Sequence, residues 1–292
     1  MTVYSLRLDI TYSFDRPTGA GRQLFRILPA YVPGVQRVIG SEFMITPPPV
    51  EQGQFVDFYG THVIEVAMPP GLVKFDLALN ARVERLGQDG VLDLSTPLAS
   101  LPLEIANHRS VGPKAPHHFL PPSPVIPALP DLASYARDAI AGAYSTREAV
   151  ERVGRALHRD MVFDASATEV HTPPAEAFAQ RRGVCQDFAQ IMIGALRGAG
   201  IPAAYVAGYL RTLPPRGRPR LVGADAMHAW VRAWAGEEMG WIDYDPTNAC
   251  FAAGDHIDVG YGRDYIDVAP VTGMLRMDGV QKGSHSVDII AL

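Results

Sequence analysis

Three residues could form a thiol nucleophile with its base and orienter, and they occur in the order Cys185, His228, Asp245. Cys185 follows Arg181-Arg182-Gly183-Val184 and opens an apolar run that reaches Gly198. Val184, Phe188, Ile191, Met192, Ala195 and Leu196 recur at helical spacing, so one stripe of a helix over 185–198 should face a core. Gly198 and Gly200 end it, and Ile201-Pro202 leads away. Gly183 is expected to let the backbone turn sharply into the helix. In a first helical turn, unpaired N–H groups and the helix dipole favour an anion, and the thiolate is the reactive form of cysteine. A lone cysteine is otherwise a small buried hydrophobe, so the case depends on its partners.

The partners sit on two strands downstream. Residues 226–234 and 240–245 read as a hairpin joined by Ala235-Gly236-Glu237-Glu238-Met239. His228, Trp230, Arg232 and Trp234 share one face of the first strand, and Trp241, Asp243 and Asp245 share one of the second. A turn centred between Gly236 and Glu237 sets His228 opposite Asp245, within side-chain reach, and Asp243 opposite Trp230. A slip of one residue on one strand would separate them. Taken singly, a strand histidine and an Asp before Pro-Thr are ordinary structural residues.

Elsewhere in the chain, residues 3–88 read as consecutive strands. Leu6, Leu8, Ile10, Tyr12 and Phe14 alternate with polar neighbours, and so do Val73, Phe75, Leu77 and Leu79. Short turns between them predict an antiparallel sandwich or barrel. Seven prolines between Pro113 and Pro130 exclude a regular helix or central strand and mark a linker. Helical spacing follows around Leu132, Tyr135, Ala136, Ala139 and Ile140. Ser145-Thr146-Arg147-Glu148 is a capping box ahead of a second helix. Residues 211–220, with four arginines and three prolines, read as an exposed loop. Tyr265 to Val271 reads as an edge strand, and 286–292 as a final strand. The expected division is a β-rich domain over 1–112, a linker over 113–130, a catalytic domain over 131–270 and a C-terminal strand segment over 271–292.

The chain has 292 residues, of which 47% are hydrophobic, with a net charge of −5 and a pI near 6.0. That is enough apolar residue for a substantial core, and the charge argues against a nucleic-acid-binding surface. Two cysteines, Cys185 and Cys250, make neither a disulfide framework nor a cysteine zinc site. Cys250 is expected to be a buried thiol. His117-His118 reads as a pair of solvated loop histidines. Asp255, Asp258, Asp264 and Asp267 lack the spacing of a calcium loop. No metal and no cofactor are expected. The N-terminus lacks a basic segment followed by an apolar one, and no apolar run is long enough for a bilayer. The expectation is therefore a cytoplasmic protein with no membrane partner; a homo-oligomer stays open.

Four blocks in order resemble the bacterial transglutaminase-like cysteine peptidases of the transglutaminase-like superfamily. They are Gly183-Val184-Cys185-Gln186-Asp187-Phe188-Ala189, Gly200-Ile201-Pro202-Ala203, His228-Ala229-Trp230-Val231, and Gly240-Trp241-Ile242-Asp243-Tyr244-Asp245-Pro246-Thr247-Asn248. The resemblance implies an α+β chain. An N-terminal antiparallel β domain would precede a papain-like core, in which the nucleophile helix packs on an antiparallel sheet. It implies a triad of Cys185, His228 and Asp245. Gln190, Met227 and Arg232 depart from the family pattern without removing a triad member.

The chemistry implied is attack of the Cys185 thiolate on an amide carbonyl of a peptide or protein substrate. The Cys185 backbone N–H would serve as one oxyanion donor, with Gln180, Gln186 and Trp230 as candidates for a second. Water would resolve the thioester to make a peptidase or amidase acting on peptide or isopeptide bonds. An amine would instead make a transglutaminase. A noncatalytic peptide-binding module, with the β domain as its working surface, is the alternative of another class.

Overall fold

The structure, a computed structural model, describes residues 1–86, 92–212, 223 and 225–292. Six strands come first: β1 (Thr2–Phe14), β2 (Gly21–Phe25), β3 (Gln36–Thr46), β4 (Glu51–Val56), β5 (His62–Met68) and β6 (Lys74–Arg85). The helical stretch holds α1 (Leu101–Asn107), α2 (Pro130–Ala139) and α3 (Thr146–Asp160). It continues through β7 (Val162–Phe163), α4 (Pro174–Gln180), β8 (Arg182–Gly183) and α5 (Cys185–Gly198). Then follow β9 (Ala203–Leu210), β10 (Ala226–Trp234), β11 (Trp241–Asp245), β12 (Cys250–Phe251) and β13 (His256–Gly262). The chain closes with α6 (Tyr265–Val268), β14 (Val271–Leu275) and β15 (Gln281–Ala291). Among the described residues, no helix is long and apolar enough to cross a membrane.

The fold is α+β, as the sequence implies. The N-terminal strands form two antiparallel sheets, ordered β15-β1-β6-β3 and β14-β2-β5-β4. The alternating face of β1 is their shared interior: Leu6, Leu8, Ile10 and Phe14 are all buried, whereas Tyr12 is only partly covered. Both C-terminal strands return to this region, β14 beside β2 and β15 beside β1. The third sheet is antiparallel, ordered β12-β11-β10-β9-β13, with α5 packed across β9 and β10. Its far end, through Tyr209, Ile257 and Val259, joins the apolar core of the N-terminal sheets.

Three expectations need correction. Helix α5 is not buried along one stripe alone: every residue from Asp187 to Arg197 is buried. The third sheet covers one side, and α2, α3 and α4 cover the other. Residues 265–268 form a helix, because the Asp264 carboxylate accepts the Ile266 N–H at 3.0 Å and so caps it; the strand starts only at Val271. Cys250 is exposed on β12, at the sheet's edge. Helix α1 had no periodic signal, yet its Leu101 and Ile105 join the core around α5. His117 and His118 each bond a backbone carbonyl, of His108 and Val111. The expected arginine-rich loop lies largely at 213–220, outside the described residues.

Helix α3 meets β11 through a glycine. A Cβ on Gly154 would lie 2.0 Å from Cε1 of Tyr244, the buried neighbour of Asp245. Gly154→Ala should gain about 1 kcal/mol of helix propensity. Overpacking against a buried ring costs about 1–3 kcal/mol, so the net effect should be destabilising. A urea-unfolding midpoint below that of wild type is the expected result.

Candidate active site

The cysteine comes to its place through a backbone lock at the start of α5. The Asp187 carboxylate, 1% exposed, accepts the Val184 N–H at 2.8 Å and the Thr168 hydroxyl at 2.6 Å. Burial raises its pKa, and these two hydrogen bonds offset part of that rise. Asp187 therefore anchors the helix N-terminus. It also explains Gly183, where a Cβ would fall 2.5 Å from Asp187 Oδ2. Close approach, rather than a sharp turn, is what requires glycine there: Gly183 has no positive φ.

Hairpin β10–β11 carries the other two groups, in a register different from the one expected. The observed partners are Val231 with Tyr244, Arg232 with Asp243 and Trp234 with Trp241. The turn is therefore centred between Glu237 and Glu238, and Asp245 comes level with Trp230 rather than His228. Gly236 and Gly240, at φ 109° and 69°, permit the longer turn. The slip is even, so every side chain keeps its face, and His228 reaches Asp245 diagonally. Its Nε2 lies 2.7 Å from Asp245 Oδ2.

Asp245 is completely buried and accepts five hydrogen bonds. Oδ1 takes the backbone N–H groups of Thr247 at 2.9 Å and Asn248 at 3.1 Å. Oδ2 takes His228, the Asn248 amide at 2.7 Å and His256 Nε2 at 3.1 Å. Burial works against the carboxylate's charge, but these donors, His228 first, hold its pKa far below the usual range. For His228, burial opposes the imidazolium. The hydrogen bond to Asp245, then the neighbouring Cys185 thiol, with the charges of both, outweigh it and push the pKa up to about 10. With Nε2 on Asp245, Nδ1 is the nitrogen left for the thiol.

Cys185 and His228 line one cavity of about 280 Å³. Its walls are mostly apolar, with Tyr205, Ala207, Met227 and Tyr265 from the core; Ile27 comes from the segment after β2 and His285 from β15. The β domain thus forms one wall of the cleft. Tyr205 is held in its neutral, donating form by burial first and by the neighbouring Cys185 second.

The proposed oxyanion candidates fare differently. Gln186 lines the cavity, with its amide bonded to the Val170 carbonyl at 2.8 Å. Gln180 is exposed on α4 and bonds Glu176, away from the cavity. Trp230 is fully buried and gives its indole N–H to Asp243 at 3.2 Å. Neither of these two side chains lines the cavity.

The carboxylates considered for calcium have other partners. Asp255 bonds Tyr4 and Arg211, Asp258 bonds Arg85 and Arg232, Asp264 caps α6 and Asp267 pairs with Arg263. His228, Asp245 and His256 do bring three ligand-type atoms within 4.8 Å of one another. The Ala253 N–H points at His256 Nδ1 at 3.3 Å, so that nitrogen accepts and Nε2 carries the proton. His256 Nε2 is thus a hydrogen-bond donor to the carboxylate. Sequence reading missed His256, because no spacing rule links it to Asp245 across an intervening loop.

This geometry has relatives. The transglutaminase-like superfamily core matches residues 133–246, and the bacterial transglutaminase-like N-terminal region matches residues 4–84. The uncharacterized protein Rv2569c of Mycobacterium tuberculosis strain H37Rv is 32% identical over 265 residues, covering 82% of this chain and 77% of its own. The chain belongs to the transglutaminase-like superfamily. A crystal structure named as a putative cysteine protease, from Cytophaga hutchinsonii, shares the fold. Its TM-score is 0.77 at 21% identity, covering 100% of this chain and 91% of that one. A protein-glutamine gamma-glutamyltransferase of Pseudomonas aeruginosa is 46% identical over 71 residues, 24% of this chain and 10% of its own length. This transglutaminase-like core is papain-like in build: a cysteine-bearing helix against an antiparallel sheet that carries the histidine and the aspartate.

Proposed function

We propose that this chain is a thiol hydrolase that cleaves peptide or isopeptide amide bonds through Cys185, His228 and Asp245. The observation that carries the reading is the placement of His228, bonded to Asp245 at 2.7 Å and sharing a cavity with Cys185. The Cys185 sulfur attacks the amide carbonyl carbon, and a C–S bond forms as the carbonyl π pair moves to oxygen. The Cys185 N–H, one of the free first donors of α5, stabilises that oxyanion. Collapse breaks the C–N bond, and the His228 imidazolium gives its proton to the leaving amine. Water then attacks the thioester, His228 takes its proton, and the C–S bond breaks to release the acid. Asp245 keeps the imidazole oriented throughout.

Acyl transfer to a primary amine is the second reading, favoured by the Pseudomonas aeruginosa relative named for that activity. A mass-spectrometric screen of peptides, run with and without a simple primary amine, separates the two. Free carboxylate in the presence of amine supports hydrolysis, whereas amine adducts support transfer. Cys185→Ala should lower turnover by at least about a thousandfold without moving the thermal midpoint. A variant that keeps full activity ends both readings.

A further inference from the structure

Asp245 has two histidines on one oxygen, and only one of them faces the thiol. His256 stands at the start of β13, separated from β10 by β9. It is 4% exposed, and it packs edge-on against Trp230 with ring centroids 5.2 Å apart. Gly208 of β9 makes that packing feasible, because a Cβ there would lie 2.4 Å from Cη2 of Trp230. The backbone N–H of Ala253 can only donate, and it meets His256 Nδ1. The imidazole is therefore held as the tautomer whose Nε2–H points at Asp245.

The turn that presents this histidine is gripped from the N-terminal domain. The His256 N–H closes the turn on the Ala253 carbonyl at 3.1 Å. Arg85, at the end of β6, donates to the same carbonyl at 3.0 Å and to Asp258 at 2.7 Å. One guanidinium thus holds the chain two residues after His256 and three before it.

We propose that His256 is a positioning residue of this site, a neutral donor that fixes the Asp245 carboxylate for His228, with the N-terminal β domain bracing it through Arg85. The inference rests on the Cys185–His228–Asp245 reading above. A histidine that merely filled space would show the same burial, so the test must isolate the donor. Gln at 256 can place an amide N–H near the Nε2 position. Asn can replace the Nδ1 acceptor toward Ala253 but is too short to reach Asp245.

The probe is iodoacetamide alkylation of Cys185 at about pH 7, read by peptide mass spectrometry, with added N-acetylcysteine as the reference thiol. His256→Asn should slow Cys185 about tenfold, and His256→Gln should stay within about threefold of wild type. In an Asp245→Ala background, adding His256→Asn should change the rate by less than about twofold, because its route has been removed. If His256→Asn does not fold, His256→Phe, which fills the ring's space without a donor, takes its place. An undiminished rate in the donor-less variant overturns the proposal. So does equal loss with Gln, or a full additional loss in the Asp245→Ala background. The underlying reading fails separately: in that case wild-type Cys185 reacts no faster than the free reference thiol, and Asp245→Ala leaves it unchanged.

Discussion

Asp245→Asn should lower turnover by about a thousandfold to ten-thousandfold while the protein stays folded. The wild-type carboxylate meets donors at both oxygens: three side-chain N–H groups at Oδ2 and two backbone N–H groups at Oδ1. An amide in either orientation turns its own NH₂ toward donors. With the NH₂ at the Oδ2 position His228 loses its acceptor; with it at Oδ1 His228 keeps only a neutral carbonyl, which no longer supports the imidazolium, and in both cases Nδ1 loses the proton state that the thiol requires. The pH profile should move as well. The raised pKa keeps His228 an imidazolium below about pH 10, and that form is lost as pH rises through this value. Burial alone would lower it, so removing the Asp245 bond should bring the alkaline limb down by about 1–3 pH units. The measurement is kcat/KM against pH with whichever peptide the screen yields. An alkaline limb that stays in place would mean that Asp245 does not set the imidazole's charge.

Arg85→Met should be the largest single loss of stability, about 3 kcal/mol or more. Arg85 and Asp258 are 5% and 4% exposed at their side chains and 2.7 Å apart. Asp258 also binds Arg232 at 2.9 Å, and Arg232 holds Asp243 at 2.6 Å. Two arginines and two aspartates balance. Deleting Arg85 leaves a buried excess of one negative charge and also removes one of the two donors at the Ala253 carbonyl and at the Gln36 amide oxygen. Surface pairs such as Arg7 with Asp9 should matter far less, because water competes for both partners. Arg85→Met with Asp258→Leu should recover much of the loss, since Arg232 and Asp243 then remain as a balanced pair. Urea unfolding of the two variants checks this. A single variant as stable as wild type would show that the network does not couple the β domain to the core.

Much of this architecture is local and therefore legible in the residues. Helix α5 runs from Cys185 to Gly198 as the apolar spacing and the glycines require. Strands β9 and β10 span the runs of 203–210 and 226–234. Parity along β10 and β11 was enough to put His228 and Asp245 on one face, because alternation survives any even slip of register. The register itself was not legible. It depends on how many residues the turn absorbs, and two positive-φ glycines, Gly236 and Gly240, make the turn longer than a tight hairpin.

What only the tertiary structure decided is non-local. The closed surroundings of α5 come from helices and a sheet contributed by distant segments, so Gln190 and Arg197 are buried although no periodicity marks them. The second imidazole on Asp245 arrives from β13 on the far side of β9, through a notch at Gly208. The meeting of Ile27 with Cys185 in the cleft, and the grip of Arg85 on the His256 turn, join residues more than 150 positions apart. Periodicity records which face a residue turns inward, and motif spacing records which groups share an element. Neither records which element lies against that face; that depends on how the two sheets pack on one another and bury their apolar surfaces together.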